Sequence, residues 1–291
     1  MAYLNLLRPH QWSKNLLCFA GLLFGGKLFQ INAVLLSSFV FFVFSLASSS
    51  VYIFNDIIDR ERDRQHQKKR HRPIASGKIS GIVAGTLGAI IGIASFIGAY
   101  LLNPVVFAIV ILYVINNIFY SFKLKHVPII DVLSISFGFV LRLLSGIYIL
   151  GEQPTAWIVL CTMFLALFLG FSKRRAEYIS AGNWSFEEVE QRPVLKRYNH
   201  LFLDSMVNDT ALASVITYAL FTTSSGKNPT LISTVPIVYY AIMHYKHMLM
   251  MHNRGEEPDL ILLKDWKIWL SIIVWVLAFI LIYYYDINLF V

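Results

Sequence analysis

Charge is scarce in this chain: only 14% of its 291 residues are Asp, Glu, Lys or Arg against 57% hydrophobic, a balance that excludes an ordinary soluble domain. Cysteine is scarcer still. The two present, Cys18 and Cys161, both fall in apolar runs, where they read as small buried hydrophobes and argue against a disulfide. Ser, Cys and His show no arrangement suited to nucleophilic catalysis. His244 and His247 stand at helical spacing, but no Cys or acid joins them on that face, so they read as the polar end of a helix rather than a metal site. Low-complexity segments and domain linkers are also missing, and the whole chain, 1–291, reads as one domain.

What remains is apolar. Long runs with few charges lie at 16–29, 34–54, 79–101, 103–120, 131–150, 155–172, 205–225, 230–250 and 266–285, most near the length that spans hydrocarbon, giving an all-α polytopic membrane protein of about nine helices. The first run is the shortest and is interrupted by Gly21, Gly25 and Gly26, so a re-entrant segment followed by eight spans is the alternative. No cleavable signal peptide is expected at the start.

The net charge of +8 does not point to nucleic acid, because the cations are sorted by side. With the N-terminus inside, only Lys27 and Lys227 lie in or near the opposite loops, and Arg142 lies within a span. This places the N-terminus and the loops near 55–78, 121–130, 173–204 and 251–265 in the cytoplasm of a cell-membrane protein.

The polar chemistry collects in those loops. Asn55, Asp56, Asp59 and Asp63 follow the second run at spacings that put them within about a 100° arc of one helix. Aspartates so placed repel one another and call for a cation. Mg²⁺, which takes one or two carboxylates together with phosphate oxygens, suits them. A basic stretch follows directly, and Pro73 and Gly77 turn the chain so that Lys69 and Arg72 can lie over the same cavity. Carboxylates for Mg²⁺ beside cations for phosphate suggest a protein that handles a diphosphate.

Further polar groups are less decisive. Tyr120, Lys123 and Lys125 suit phosphate, although interfacial aromatics and inside lysines explain them nearly as well. Arg142 shares a helix face with Asp131 about 16 Å deeper; a charge at that depth is either an anchor for an anion or half of an ion pair with an acid such as Asp209. Lys173, Arg174 and Arg175 end the sixth run, and at least one should face a cavity. Glu177 either adds a metal ligand or pairs with Lys173. Arg192 and Lys196 follow in the same loop.

These segments carry a resemblance. A multi-span helical chain with NDIIDRERD (Asn55 to Asp63) continued by KRHRPIASG (Lys69 to Gly77) resembles the UbiA prenyltransferase superfamily over nearly its whole length. Within it, LRPHQWSKN (Leu7 to Asn15), YSFKLKHVPIIDV (Tyr120 to Val132), GFVLRLLSG (Gly138 to Gly146) and FSKRRAEY (Phe171 to Tyr178) resemble the decaprenyl-phosphate phosphoribosyltransferase family.

The resemblance implies a Mg²⁺-dependent enzyme that moves 5-phosphoribose from phosphoribosyl diphosphate to a polyprenyl phosphate, for arabinofuranose donors of cell-envelope glycans. It implies metal binding by Asn55, Asp56, Asp59 and Asp63, the three aspartates being catalytic. Phosphoribosyl diphosphate would meet Lys69, Arg72, Tyr120, Lys123, Lys125, Lys173, Arg174, Arg175 and Glu177. Lys14, Asp131, Arg142, Arg192 and Lys196 would serve the lipid phosphate or the structure. Aromatic-acceptor relatives carry a second Asp-rich motif where this chain has SKRRAEY, and the added phosphates of the implied substrates account for the cations. An aromatic-acceptor prenyltransferase and a non-enzymatic lipid or ion transporter stay open as other readings. Homo-oligomerisation stays open too.

Overall fold

A computed structural model describes residues 2–65, 69–180, 193–224, 226–252 and 265–289. Among these the chain is helical throughout: α1 (Ala2–Leu7), α2 (Ala20–Phe24), α3 (Ile31–Ile58), α4 (Arg60–Gln65), α5 (Gly81–Leu102), α6 (Pro104–Phe122), α7 (Ile130–Tyr148), α8 (Ala156–Ser180), α9 (His200–Thr222), α10 (Val235–His252) and α11 (Trp266–Tyr284), joined by short 3₁₀ segments.

Local chemistry sets several helix ends. Ser80 accepts from the Val83 amide ahead of α5, Asn103 precedes Pro104 and accepts from the Val105 amide at 2.7 Å, Asn199 caps α9, and Asp265 caps α11. Among the described residues, six helices are long and apolar enough to cross a membrane: α3, α5, α6, α7, α8 and α11. The protein is a membrane protein. Helices α9 and α10 have 23 and 18 residues but are more polar, carrying Asp204 and Asp209, or His244, Lys246 and His247.

The first expected crossing, 16–29, is not one α-helix. A 3₁₀ helix over Pro9–Phe19 gives way to the short α2, which Gly25 and the left-handed Gly26 (φ 70°) terminate. Both cysteine thiols are free.

The chain forms two compact units, residues 1–125 with 138–153, and residues 126–137 with 154–291. The first is built on α3 packed against α5 and α6, around Val40, Phe44, Ala47, Val110 and Tyr113. The second is built on α8 against α9, around Phe168, Phe171, Leu203, Val207 and Tyr245.

Candidate functional site

In the first unit the expected continuous acidic face is broken. Helix α3 ends at Ile58 and Asp59 (φ −88°, ψ 7°) separates it from α4, although the Asp59 and Asp63 amides still reach the carbonyls four residues back at 2.9 and 2.8 Å. The break sorts the carboxylates. Asp56 and Asp63, both almost fully buried, turn to one cation: Nη1 of Arg72 donates to Asp56 Oδ1 at 3.0 Å and to Asp63 Oδ2 at 2.6 Å. Asp59 instead meets Lys125, whose Nζ lies 3.2 Å from Oδ1 and 3.4 Å from Oδ2.

The side chain of Asn55, expected among the metal ligands, bonds to the Ser121 hydroxyl on α6. Burial raises the Asp63 carboxyl above the ordinary carboxylate range, against the opposing pull of Arg72 and Lys69.

Arg72 is aimed by a hydrophobic anchor. After it the chain turns through Gly77 (φ 74°), and Ile74, fully buried, packs with Leu6, Ile53 and Ile79. That cluster ties the turn to both α1 and α3, the helix that ends beside Asp56. A second cation, absent from the sequence-based candidates, completes the group. Arg8 adopts φ 52°, ψ 58°, a left-handed conformation that costs a non-glycine residue energy. Its Nη2 donates to Asp56 Oδ1 at 2.5 Å, and its guanidinium lies 5.3 Å from the centre of the Tyr52 ring. Arg8 lies inside LRPHQWSKN, so that segment was the signal for it. Nothing in its spacing named Asp56.

Deeper in the same unit, Arg142 is buried to 4% exposure and no carboxylate among the described residues pairs with it; Asp209, an acid considered as one possible partner, accepts from the Ser205 hydroxyl. Its Nε donates to Asn15 Oδ1 at 2.6 Å, Nη1 to the Gly138 carbonyl at 2.7 Å and Nη2 to the Tyr113 hydroxyl at 2.9 Å. The Tyr113 ring also lies 4.6 Å from the guanidinium carbon. Asn15 in turn donates to Ser45 on α3 at 3.0 Å. The approach depends on glycine: a Cβ on Gly146 would collide with the Cys18 backbone, so this part of α7 lies directly against the N-terminal segment. Lys14 donates to Gln11 at 2.6 Å; Lys123 is exposed, and Lys69 and Tyr120 are half-buried.

The second unit holds a different group. The basic triplet follows the sixth apolar run without a break in the helix: α8 continues to Ser180 and carries Lys173, Arg174 and Arg175 in its body. Lys173 is half-buried. Arg174, 5% exposed, donates from Nε to Asp131 Oδ2 at 2.6 Å and from Nη1 to Glu177 Oε2 at 2.7 Å. Gly170, one turn earlier, allows this: a Cβ there would collide with Val132, the neighbour of Asp131.

Tyr198, which follows Lys196 in the loop after the sixth run, donates to Asp131 Oδ1 at 2.8 Å and accepts from the Ile129 amide at 2.6 Å. Ile129 has φ 69°, a left-handed conformation that a β-branched residue resists. Burial pushes the Tyr198 phenol well above its ordinary value. Arg175 is committed elsewhere, to Asp204 Oδ1 at 2.5 Å and the Leu249 carbonyl at 3.2 Å. Lys196 is exposed, and Arg192 lies outside the described residues.

Among the described residues, no three His, Cys, Asp or Glu stand close enough to hold a metal by themselves. Two hard oxygens do converge, Asp56 Oδ1 and Asp63 Oδ2, on a point that a guanidinium nitrogen occupies. That donor set fits Mg²⁺, which needs only one or two carboxylates when phosphate oxygens supply the rest.

Residues 15–266 match the UbiA prenyltransferase family. The chain belongs to this family. Membership makes it a transferase. The decaprenyl-phosphate phosphoribosyltransferase of Corynebacterium glutamicum is 31% identical over 97% of this chain and 86% of that one, and its namesake from Mycobacterium tuberculosis is 33% identical over 74% and 72%. Relatives with other names match shorter stretches. A UbiA homolog from Archaeoglobus fulgidus, solved bound to GPP and Mg²⁺, shares the fold at a TM-score of 0.74 and 20% identity, over 96% of this chain and 98% of that one.

Proposed function

We propose that this UbiA-family chain, acting as a single domain over 1–291, transfers 5-phosphoribose from phosphoribosyl diphosphate to a polyprenyl phosphate and releases pyrophosphate, for lipid-linked arabinofuranose donors of cell-envelope glycans. The observation that carries the reading is the match, over almost the full chain, to relatives named decaprenyl-phosphate phosphoribosyltransferase. The charge arrangement supports it. A diphosphate, a 5-phosphate and a lipid phosphate require more cations than acids around the reacting atoms. Arg8, Arg72 and Lys125 already stand against the aspartates.

In this reading Asp56 and Asp63 would hold Mg²⁺, with Asp59 beside them, and Arg72 would then be available to the diphosphate oxygens. When bound, Mg²⁺ supplies Lewis-acid stabilisation of the leaving pyrophosphate. Arg8, Arg72 and Lys125 donate charge-assisted hydrogen bonds to phosphate oxygens and hold the donor so that its C1–oxygen bond lies open to the acceptor. Lys173 meets phosphate from α8, and Arg174 is held in place by Asp131 and Glu177. The lipid phosphate is anionic at neutral pH, so its oxygen attacks C1 without a general base.

The sorting of cations supports a cytoplasm-facing site in a cell-membrane protein of about nine crossings. A Cys at Lys227 should label from outside intact cells, and one at Arg64 should not. The decisive assay is purified protein with Mg²⁺, labelled phosphoribosyl diphosphate and decaprenyl phosphate. A labelled phosphoribosyl lipid is the expected product. Prenylation of an aromatic acid in place of that product would leave the family and remove this activity, and Mg²⁺-independent lipid flux without a covalent product would make it a transporter.

A further inference from the structure

No step of the proposed transfer uses Arg142, although a charge buried inside a span is costly to keep. What it holds is the segment ahead of α2. Pro9–Phe19 is wound as a 3₁₀ helix of 11 residues, well beyond the run of about three or four that such winding usually sustains. Side chains hold it. Arg142 fixes Asn15 through Nε, and the Asn15 amide nitrogen donates to Ser45 and, at 3.5 Å, to Ser48. Trp12 Nε1 donates to Ser49 Oγ at 3.1 Å. The Ser49 hydroxyl in turn donates at 2.8 Å to the Leu7 carbonyl, which belongs to the peptide bond that leads into Arg8.

These contacts form one row. Ser45, Ser48, Ser49, Tyr52 and Asp56 fall within about a 100° arc of α3, and they meet the N-terminal segment in reverse order: Asn15 at the deep end, then Trp12, then Arg8 over Tyr52 and on Asp56. The winding sets the reach. From Ser45 to Asp56 an α-helix rises about 16 Å. The seven steps from Asn15 back to Arg8 rise about 14 Å at the 3₁₀ spacing and only about 10 Å at the α-helical one. The longer rise brings Arg8 nearly level with Asp56, where α-helical winding would leave it about one turn short.

We propose that Arg142 and Ser49 are positioning residues: acting through Asn15 and Leu7, they set the register of the N-terminal segment on α3 and so hold the Arg8 guanidinium at Asp56, where it meets the donor's phosphates. The purpose of Arg8 rests on the phosphoribosyl-transfer reading. The register does not. Ser49→Ala removes both hydroxyl bonds with little change of volume, and Arg142→Lys keeps the charge but loses the planar fork that spans Asn15, Gly138 and Tyr113. Each should raise the KM for phosphoribosyl diphosphate roughly tenfold, the lower end for a lost charged hydrogen bond, and leave the KM for decaprenyl phosphate within about twofold.

A double-mutant cycle separates positioning from plain destabilisation. In Arg8→Ala protein, Ser49→Ala should change the donor KM by less than about twofold, because the residue it positions is gone. Additive effects, an equal rise in both KM values, or unchanged kinetics in both folded variants would overturn the proposal. A second readout needs no turnover. A short bismaleimide should bridge Arg8→Cys to Tyr52→Cys, read as a linked peptide by mass spectrometry, with each single variant as the control for the native thiols. Adding Ser49→Ala should slow the bridging severalfold, and an unchanged rate would overturn the register. Slowed bridging in a protein that transfers no phosphoribose would support the register and remove the activity it was assigned to serve.

Discussion

The charged groups of the two compact units are built in opposite senses. In the first unit the carboxylates sit on helices and at their junction, while the cations come from turns: Arg8 from a left-handed residue, Arg72 from the turn before α5, Lys125 from the 3₁₀ turn after α6. Those cations keep 18%, 29% and 20% of their side chains exposed, and Asp56 and Asp63 lie beneath Arg8 and Arg72. In the second unit the cations themselves are buried, in the body of α8, and the acids and a phenol close around them. The first arrangement can exchange partners at low cost, because a partly solvated cation on a turn can leave a carboxylate for a phosphate. The second cannot, because a buried charge without its partner keeps the cost of leaving water.

The largest expected effect breaks the first cluster. Asp59→Asn or Asp63→Asn should lower turnover by on the order of 10²–10³-fold or more, as loss of charge stabilisation in the transition state does, while the variant still elutes and melts as folded protein. Chelation should do the same to the wild type. Near-normal turnover in both variants would leave the aspartates as no more than a charged helix junction.

The second effect sharpens the contrast between units. Arg174→Ala strands Asp131, which is fully buried, and Glu177, and should cost about 3–5 kcal/mol of stability, read as a lower Tm and poorer yield in detergent. Lys173→Ala, at a half-buried position, should instead lower Tm less than Arg174→Ala does and raise the KM for phosphoribosyl diphosphate about ten- to a hundredfold, the loss of one charged hydrogen bond of about 1.5–3 kcal/mol. Equal loss of Tm in both variants would erase the distinction.

The smallest effect concerns Asp63 in metal-free protein. Its folded pKa lies above the unfolded value, so the folded state holds the proton more tightly. The associated stability is fully present below the unfolded value and is lost as pH rises through the folded one. Thermal melts with chelator should therefore show wild type losing stability relative to Asp63→Asn across that window. A difference between them that does not change with pH would contradict the shift.

Sequence reasoning went furthest where the cause is local. The runs that became α3, α5, α6, α7, α8 and α11 are legible because a membrane helix must be apolar over its own length, whatever it packs against. The turn at Asn103–Pro104 is legible for the same reason, since the cap and the proline act on adjacent residues. Reasoning from a helical wheel failed at Asp59, because the wheel assumes an unbroken helix and α3 stops one residue earlier. For Arg142 it left an anion anchor and an acid partner both open, and the charge is solvated by an amide, a carbonyl and a phenol, a solution that composition does not reveal.

The sequence by itself determined that this is a helical membrane protein with aspartates beside cations, because hydrophobic length, capping and the spacing of like charges all act within a few residues. Only the tertiary structure decided which charge meets which. Arg8 and Asp56 are 48 positions apart, Arg174 and Asp131 are 43 apart, and the Tyr198 hydroxyl reaches Asp131 across 67. Such pairs are chosen by how the helices pack, through contacts such as Gly146 on Cys18 and Gly170 on Val132, and packing is a property of the whole chain rather than of any segment.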